Sequence, residues 1–348
     1  MAVSAFRALC GKSTSLNLSS RKMKEVPECV YTLTKLSALL LNNNTITALP
    51  VQLLALQHLT ELNLGNNALT EVPAVLGHVQ SLKKLYLFSN HITAVPPDVI
   101  GGLQNLIVLN LNHNHIQRLP PEIKSLRKLQ HLSVLDNQLE DVPEDLGHLT
   151  ELREINLTSN RLTRLPKQLY QCKGLTKIHA ARNRLSSLPE GIGKLKQLAV
   201  LDVAGNKLSM FPTEFHLLPL RELYCEGNSF VRREPTSSVQ KAEVLTLKEL
   251  AARLVLREDR GGVSLVHRML PRYPGLRSML LEASRCALCP GPFLTTWLEC
   301  VHFVSLRKVG KLRSPLTVPV RARLCSYACF NVKGHSYYAV ATRHVEPN

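Results

Sequence analysis

The chain has 348 residues and carries 43 Lys and Arg against 26 Asp and Glu, a net charge of +17 with histidine neutral. With 45% hydrophobic and 20% charged residues it has the composition of a folded globular protein, which excludes a disordered one. No apolar run is long enough to span a bilayer, and the opening MAVSAFRALCGKS lacks the charged start and apolar core of an export signal. A cytoplasmic location is therefore expected, with the nucleus also open, and with its nine cysteines either free or bound to metal.

The first elements in the chain are repeats. The unit LxxLxLxxNxLxxLP reads Leu36, Leu39, Leu41, Asn44, Ile46, Leu49, Pro50, then Leu59, Leu62, Leu64, Asn67, Leu69, Val72, Pro73. Its asparagine recurs at Asn44, Asn67, Asn90, Asn114, Asn137, Asn160, Asn183, Asn206 and Asn228, mostly 23 residues apart. The single 24-residue step coincides with Gly101-Gly102. An earlier unit, Leu16, Leu18, Met23, Val26, Pro27, has Arg21 in the asparagine place and reads as an N-terminal cap. Ten units thus fill residues 1–230. Each LxL predicts a short strand with alternate side chains turned inward, and stacked strands form a parallel sheet. The buried asparagine satisfies backbone groups where the chain leaves the strand. Proline ends that turn, and residues 74–79 and their equivalents predict a short helical segment on the convex side. One unit cannot bury its leucines alone, so the core exists only by stacking.

This pattern resembles the leucine-rich repeats of the intracellular, 23-residue type found in Ras-suppressor and Ras-scaffold proteins. The resemblance implies an α/β solenoid, a horseshoe with a parallel concave sheet. It also implies binding of protein partners, without a small-molecule substrate.

Side chains between the inward leucines face the concave side, the usual binding face of a solenoid. The residues expected to contact a partner are Leu40, Tyr86, Phe88, Asn110, Asn112, His113, His131, Leu135, Asp136, Lys177, His179, Arg182 and Tyr224. Leu40, Tyr86, Phe88 and Leu135 are the large apolar groups expected to be exposed there, and Lys177, His179 and Arg182 form a positive patch. The histidines lie on different strands without ligand spacing, so they read as contact residues and not as metal ligands.

Residues 231–245 are polar and read as a linker. Residues 246–284 then predict a helical adaptor or cap, with Thr246 as N-cap and Leu247, Leu250, Leu254 and Val255 at helical spacing. The string Thr246-Leu247-Lys248-Glu249-Leu250-Ala251-Ala252-Arg253-Leu254-Val255 is similar to the elongin-binding box of cullin–RING substrate receptors. Ala251 stands where that box carries cysteine. Leu270-Pro271-Arg272-Tyr273-Pro274 resembles the cullin-selecting segment of the same receptors. These resemblances imply docking to elongin and cullin ligase components.

Residues 285–348 hold five of the nine cysteines. Cys286-Ala-Leu-Cys289 and Cys325-Ser-Tyr-Ala-Cys329 each aim two sulfurs at one centre, a four-sulfur set suited to structural zinc. The pairing is similar to treble-clef zinc fingers. Between the pairs, residues 297–306 and 316–324 alternate like two strands of a hairpin. Cys300, His302 and His335 are alternative ligands. A Cys300/His302 nucleophile lacks an orienting third group, so no enzyme is expected.

Two function readings follow from the residues and the resemblances. One is a recognition scaffold acting as substrate receptor for an elongin-containing cullin–RING ubiquitin ligase. The other is a signalling scaffold of a small-GTPase pathway. Nucleic-acid binding, raised by the charge, lacks a basic-aromatic groove. The charge itself is uneven: residues 1–230 carry a net +6 (24 against 18) and residues 231–348 a net +11 (19 against 8).

Overall fold

The computed structural model describes residues 14–231, 245–259, 264–306, 316–332 and 337–345. Cys10, His335 and most of the expected linker lie outside the described residues. The chain divides into two compact units. The first runs to Leu208 and adds Leu217–Ser229; the second takes Ser209–His216 and most of the chain from Phe230 onward.

The first unit is one sheet of ten parallel strands in chain order: β1 (Ser15–Asn17), β2 (Ala38–Leu40), β3 (Glu61–Asn63), β4 (Lys84–Tyr86), β5 (Val108–Asn110), β6 (His131–Ser133), β7 (Glu154–Asn156), β8 (Lys177–His179), β9 (Val200–Asp202) and β10 (Glu222–Tyr224). The register stacks Leu39 on Leu62, Leu62 on Leu85 and Leu85 on Leu109, all fully buried. Each strand is three residues long and lies one residue earlier than the expected LxL, centred on its first leucine or isoleucine, whose side chain points into the core.

The repeated asparagines form a buried ladder. Asn114 accepts from Ile92 N at 3.0 Å and donates to Leu87 O and Leu111 O, both at 3.0 Å. Each asparagine thereby ties its own turn to the preceding repeat and satisfies backbone groups of both. The residue before each asparagine is left-handed: Asn43, Asn66, Ser89, His113, Asp136, Ser159 and Arg182 have φ between 52 and 59°. Gly205 and Gly227 occupy the last two such positions, where glycine carries no steric cost.

The convex segments are 3-10 turns such as Ala74–His78. One is an α-helix instead, α1 (Pro97–Gly102), where the extra glycine enters. A Cβ at Gly102 would collide with the Gly77 carbonyl, so only glycine fits this approach.

The second unit begins its regular structure with α2 (Leu247–Asp259), α3 (Leu265–Met269) and α4 (Pro274–Leu281). Thr246 caps α2 as expected, its Oγ1 accepting from Glu249 N at 3.2 Å. A two-stranded ladder pairs β11 (Ser284–Arg285) with β12 (Pro292–Phe293). The expected hairpin is β13 (Thr296–Leu306) against β14 (Leu316–Leu324). A third strand, β15 (Tyr337–Val345), pairs with the other edge of β13. A short helix, α5 (Tyr327–Phe330), follows Ser326, whose side chain accepts from Cys329 N. Phe211 joins the second unit, donating its N–H to Pro319 O at 2.8 Å and accepting from Arg321 N at 2.7 Å. No described helix is long and apolar enough to cross a membrane.

Candidate functional site

The concave sheet of the first unit brings the expected contact residues together. Tyr86, Asn110, Lys177, His179, His131 and Tyr224 lie on their strands, flanking the buried central leucine or isoleucine. Leu40, Tyr86, Phe88 and Leu135 are half-buried, not exposed. The reason is visible at Phe88, whose ring covers Gly65 so closely that a Cβ there would sit inside it. Tyr224 is the more open aromatic, at 43% exposure. Several polar contact residues also have structural bonds. Asn110 Oδ1 accepts from Asn112 N at 3.0 Å, and Asn112 Oδ1 accepts from Ser133 Oγ at 2.6 Å and Leu135 N at 2.9 Å. His113 Nδ1 lies 2.9 Å from Asp136 Oδ2, both in left-handed turns. Arg182 occupies the equivalent turn further along and is exposed. The charges pair along the sheet: Lys84 with Glu61 at 3.2 Å, and Glu154 with Lys177 at 3.4 Å and His131 at 3.6 Å.

Three of the four leucines of α2 are exposed, and Leu256 packs in the core of the second unit. Leu247 is 83%, Leu250 50% and Leu254 63% exposed, Ala251 is exposed, and Val255 is half-buried. The opposite face docks through a buried carboxylate. Glu249 accepts from Leu294 N at 3.1 Å, Thr295 N at 2.6 Å, Thr295 Oγ1 at 2.9 Å and Arg253 Nε at 2.6 Å. Arg253 donates further to Thr296 O and Cys325 O, both at 3.0 Å. Sequence reasoning missed this pair. Its one signal is the i, i+4 spacing, which reads equally well as a solvated surface pair.

Cys325 belongs to the four-cysteine cluster. The sulfurs of Cys286, Cys289, Cys325 and Cys329 all lie within 4.8 Å of one another. Cys289 and Cys325 are 3.5 Å apart, as are Cys325 and Cys329. Four sulfurs about 2.3 Å from a tetrahedral zinc stand about 3.8 Å from each other, so the donor set fits that ion in number, type and spacing. The local chain is built for it: β11 and β12 close the first pair, and the Ser326 cap starts α5 between the second two. Gly291 N donates to Cys289 Sγ at 3.3 Å, the kind of backbone bond that orients a thiolate ligand. The crowding polarises the thiols. The hydrogen bond from Cys325 draws Cys286 well below the ordinary thiol range, and the same contact raises Cys325.

Among the described residues the alternative ligands stand outside this cluster. Cys300 is 1% exposed in the core with Phe293, Trp297 and Leu324, and burial pushes its thiol up to about 12. His302 meets the Tyr337 ring edge-on, and burial lowers its basicity. A thiol so hard to ionise is a poor nucleophile.

The family model for leucine rich repeats matches residues 34–92 and 80–139. Leucine-rich repeat-containing protein 69 of Xenopus laevis is 44% identical over 133 residues, 38% of this chain and 39% of that protein. The Mus musculus protein of that name is 40% identical over 131 residues, 37% of this chain and 38% of its own length. The matched region thus spans about two fifths of these relatives. The solved plant peptide hormone receptor RGFR1 in complex with RGF2 is 28% identical with a TM-score of 0.53, over 59% of this chain and 34% of the receptor. The sequence period, the ten-stranded sheet and these matches agree: the first unit is a solenoid of leucine-rich repeats, and the matched region resembles leucine-rich repeat-containing protein 69.

Proposed function

We propose that the chain is a non-enzymatic recognition scaffold with two docking surfaces. The concave sheet of the first unit holds one protein partner. In the second unit, α2 offers its leucine face to another, and four cysteines hold a structural zinc that staples the module. The observation that carries the second surface is an apolar stripe left open: Leu247, Leu250 and Leu254 are half to mostly exposed while Glu249 and Ala252 are buried. A helix of this kind docks by laying its apolar stripe into a groove. The box-like string Thr246–Val255 favours elongin as the occupant, making the chain a substrate receptor of a cullin–RING ubiquitin ligase in the cytoplasm. The zinc reading is supported by the four-sulfur geometry, and an all-thiolate site leaves no open position for catalysis.

Purified elongin heterodimer and the full chain test the ligase reading. Wild type should retain elongin on beads, and Leu247→Asp should lose it. No retention by wild type, or retention indifferent to Leu247→Asp, removes the reading. The alternative, a scaffold for a small GTPase, draws on the half-buried aromatic pair Tyr86 and Phe88 on and beside β4. It expects nucleotide-dependent capture of a GTPase that Tyr86→Ala with Phe88→Ala abolishes and Leu247→Asp does not.

A further inference from the structure

The concave sheet has a second period hidden inside the first. The residue after the central inward side chain is Asn17 on β1, Asn63 on β3, Asn110 on β5 and Asn156 on β7, with Asp202 on β9. The even strands carry Leu40, Tyr86, Ser133, His179 and Tyr224 at the same place. Each odd-strand residue makes the same bond. Its Oδ1 accepts from the backbone N–H two residues on: Ser19 N at 2.9 Å, then Gly65 N, Asn112 N and Thr158 N at 3.0 Å, and Ala204 N at 3.2 Å. A backbone N–H needs an acceptor, so this bond fixes which way each amide faces. The Nδ2 groups of Asn63, Asn110 and Asn156 are left over, and among the described residues they donate to no protein group.

These donors recur every second strand, about 9.6 Å apart at a strand spacing of about 4.8 Å. A polyproline-II chain repeats every three residues, about 9.3 Å, with every carbonyl free of internal hydrogen bonds. A β-strand repeats at about 6.8 Å and an α-helix at about 5.4 Å, and neither matches. The intervening positions fit the same ligand. Tyr86 stands between Asn63 and Asn110, with Phe88 beside it over Gly65, an aromatic wall against which prolyl rings pack. In the neighbouring column Lys84 pairs with Glu61, and Glu154 with Lys177 and His131. Beside Asn63, Asn110 and Asn156 the charged groups are thus engaged with one another, and the amides offer uncharged hydrogen-bond donors.

We propose that the concave sheet binds a proline-rich segment in the polyproline-II conformation, laid across the strands, with one backbone carbonyl per turn accepting from Asn63, Asn110 and Asn156. This rests on the concave face being the partner surface and names the chemistry of that partner.

The test uses the full chain and a fluorescein-labelled decaproline, with a glycine–serine decapeptide as control. Asn110→Asp keeps an oxygen for the Asn112 N–H, so the turn survives, but it replaces the donor by an acceptor. Decaproline should bind and the control should not. Asn110→Asp should weaken binding roughly tenfold, and Asn63→Asp with Asn110→Asp roughly a hundredfold, with thermal unfolding unchanged. If an Asp variant unfolds, the side-chain amide proton resonances of Asn63, Asn110 and Asn156 in wild type report instead, and they should shift with decaproline. No binding by wild type, equal binding of the control, unmoved amide resonances or Asp variants that bind like wild type would each overturn the proposal. Should decaproline fail while Tyr86→Ala with Phe88→Ala still abolishes capture of a native partner, the concave-face reading stands and the polyproline one falls.

Discussion

Arg253 sits one helical turn after Glu249 and donates Nε to its Oε1 at 2.6 Å, while the carboxylate is fully buried and the guanidinium nearly so. The pair ties three pieces of the second unit together, because Glu249 holds the N–H groups of Leu294 and Thr295 and Arg253 holds the carbonyls of Thr296 and Cys325. A helix with Leu247, Leu250 and Leu254 exposed is thus anchored on its other face by a charged pair beside Ala252 and Leu256.

Removing one member should cost far more than a surface pair. Glu249→Ala strands a buried guanidinium and two backbone N–H groups, an expected loss of about 3–5 kcal/mol. Glu249→Gln keeps one acceptor oxygen and should lose less. Denaturant unfolding followed by the single tryptophan, Trp297, measures both. A loss under about 1 kcal/mol for Glu249→Ala would contradict the anchoring role.

The same carboxylate sets an acid limit. Burial alone would raise Glu249, but the bonds from Thr295, Arg253 and Leu294 outweigh it and hold it below its ordinary 4.5. The folded state then binds fewer protons than the unfolded one, so this stabilisation is complete above about pH 4.5 and is lost as pH falls through the folded value. An acid titration of Trp297 fluorescence should show that loss in wild type and a shallower one in Glu249→Gln.

Metal analysis of the full chain should find about one zinc, lost in Cys289→Ser and kept in Cys300→Ala. Chelator should lower the unfolding temperature of wild type. Zinc retained by Cys289→Ser, or lost by Cys300→Ala, would move the site.

In the solenoid, Asn114→Ala removes the partner of Ile92 N and of the Leu87 and Leu111 carbonyls. About 3 kcal/mol should be lost, since each stranded backbone group costs roughly 1–3 kcal/mol. By contrast Leu247→Asp changes a side chain in a residue 83% exposed and should leave stability within about 0.5 kcal/mol while abolishing docking. Calorimetry of the two variants separates the roles.

Much of the solenoid is legible in one dimension because each repeat makes the same bonds to its neighbour, 23 residues away. Leu39, Leu62 and Leu85 need only that period to find one another, and Asn44 and Asn67 need only it to find their carbonyls. The four cysteines are legible for a related reason, since two short spacings point at one centre. What one dimension hides is orientation. The leucines of α2 have the spacing of a buried stripe, yet Leu247 and Leu254 face solvent. Likewise Phe88 reads as an exposed contact and is half-covered by its packing on Gly65.

The residue order therefore settles the repeat count, the strand positions, the asparagine ladder and the four-sulfur set, because local spacing dictates each of them. Tertiary structure alone decides which face of α2 is buried, since that depends on a carboxylate meeting N–H groups 45 and 46 residues away. It also decides that Cys300 lies in the core with Phe293, Trp297 and Leu324, outside the four-sulfur set. Long-range hydrogen bonds and packing set both outcomes, and neither leaves a period in the chain.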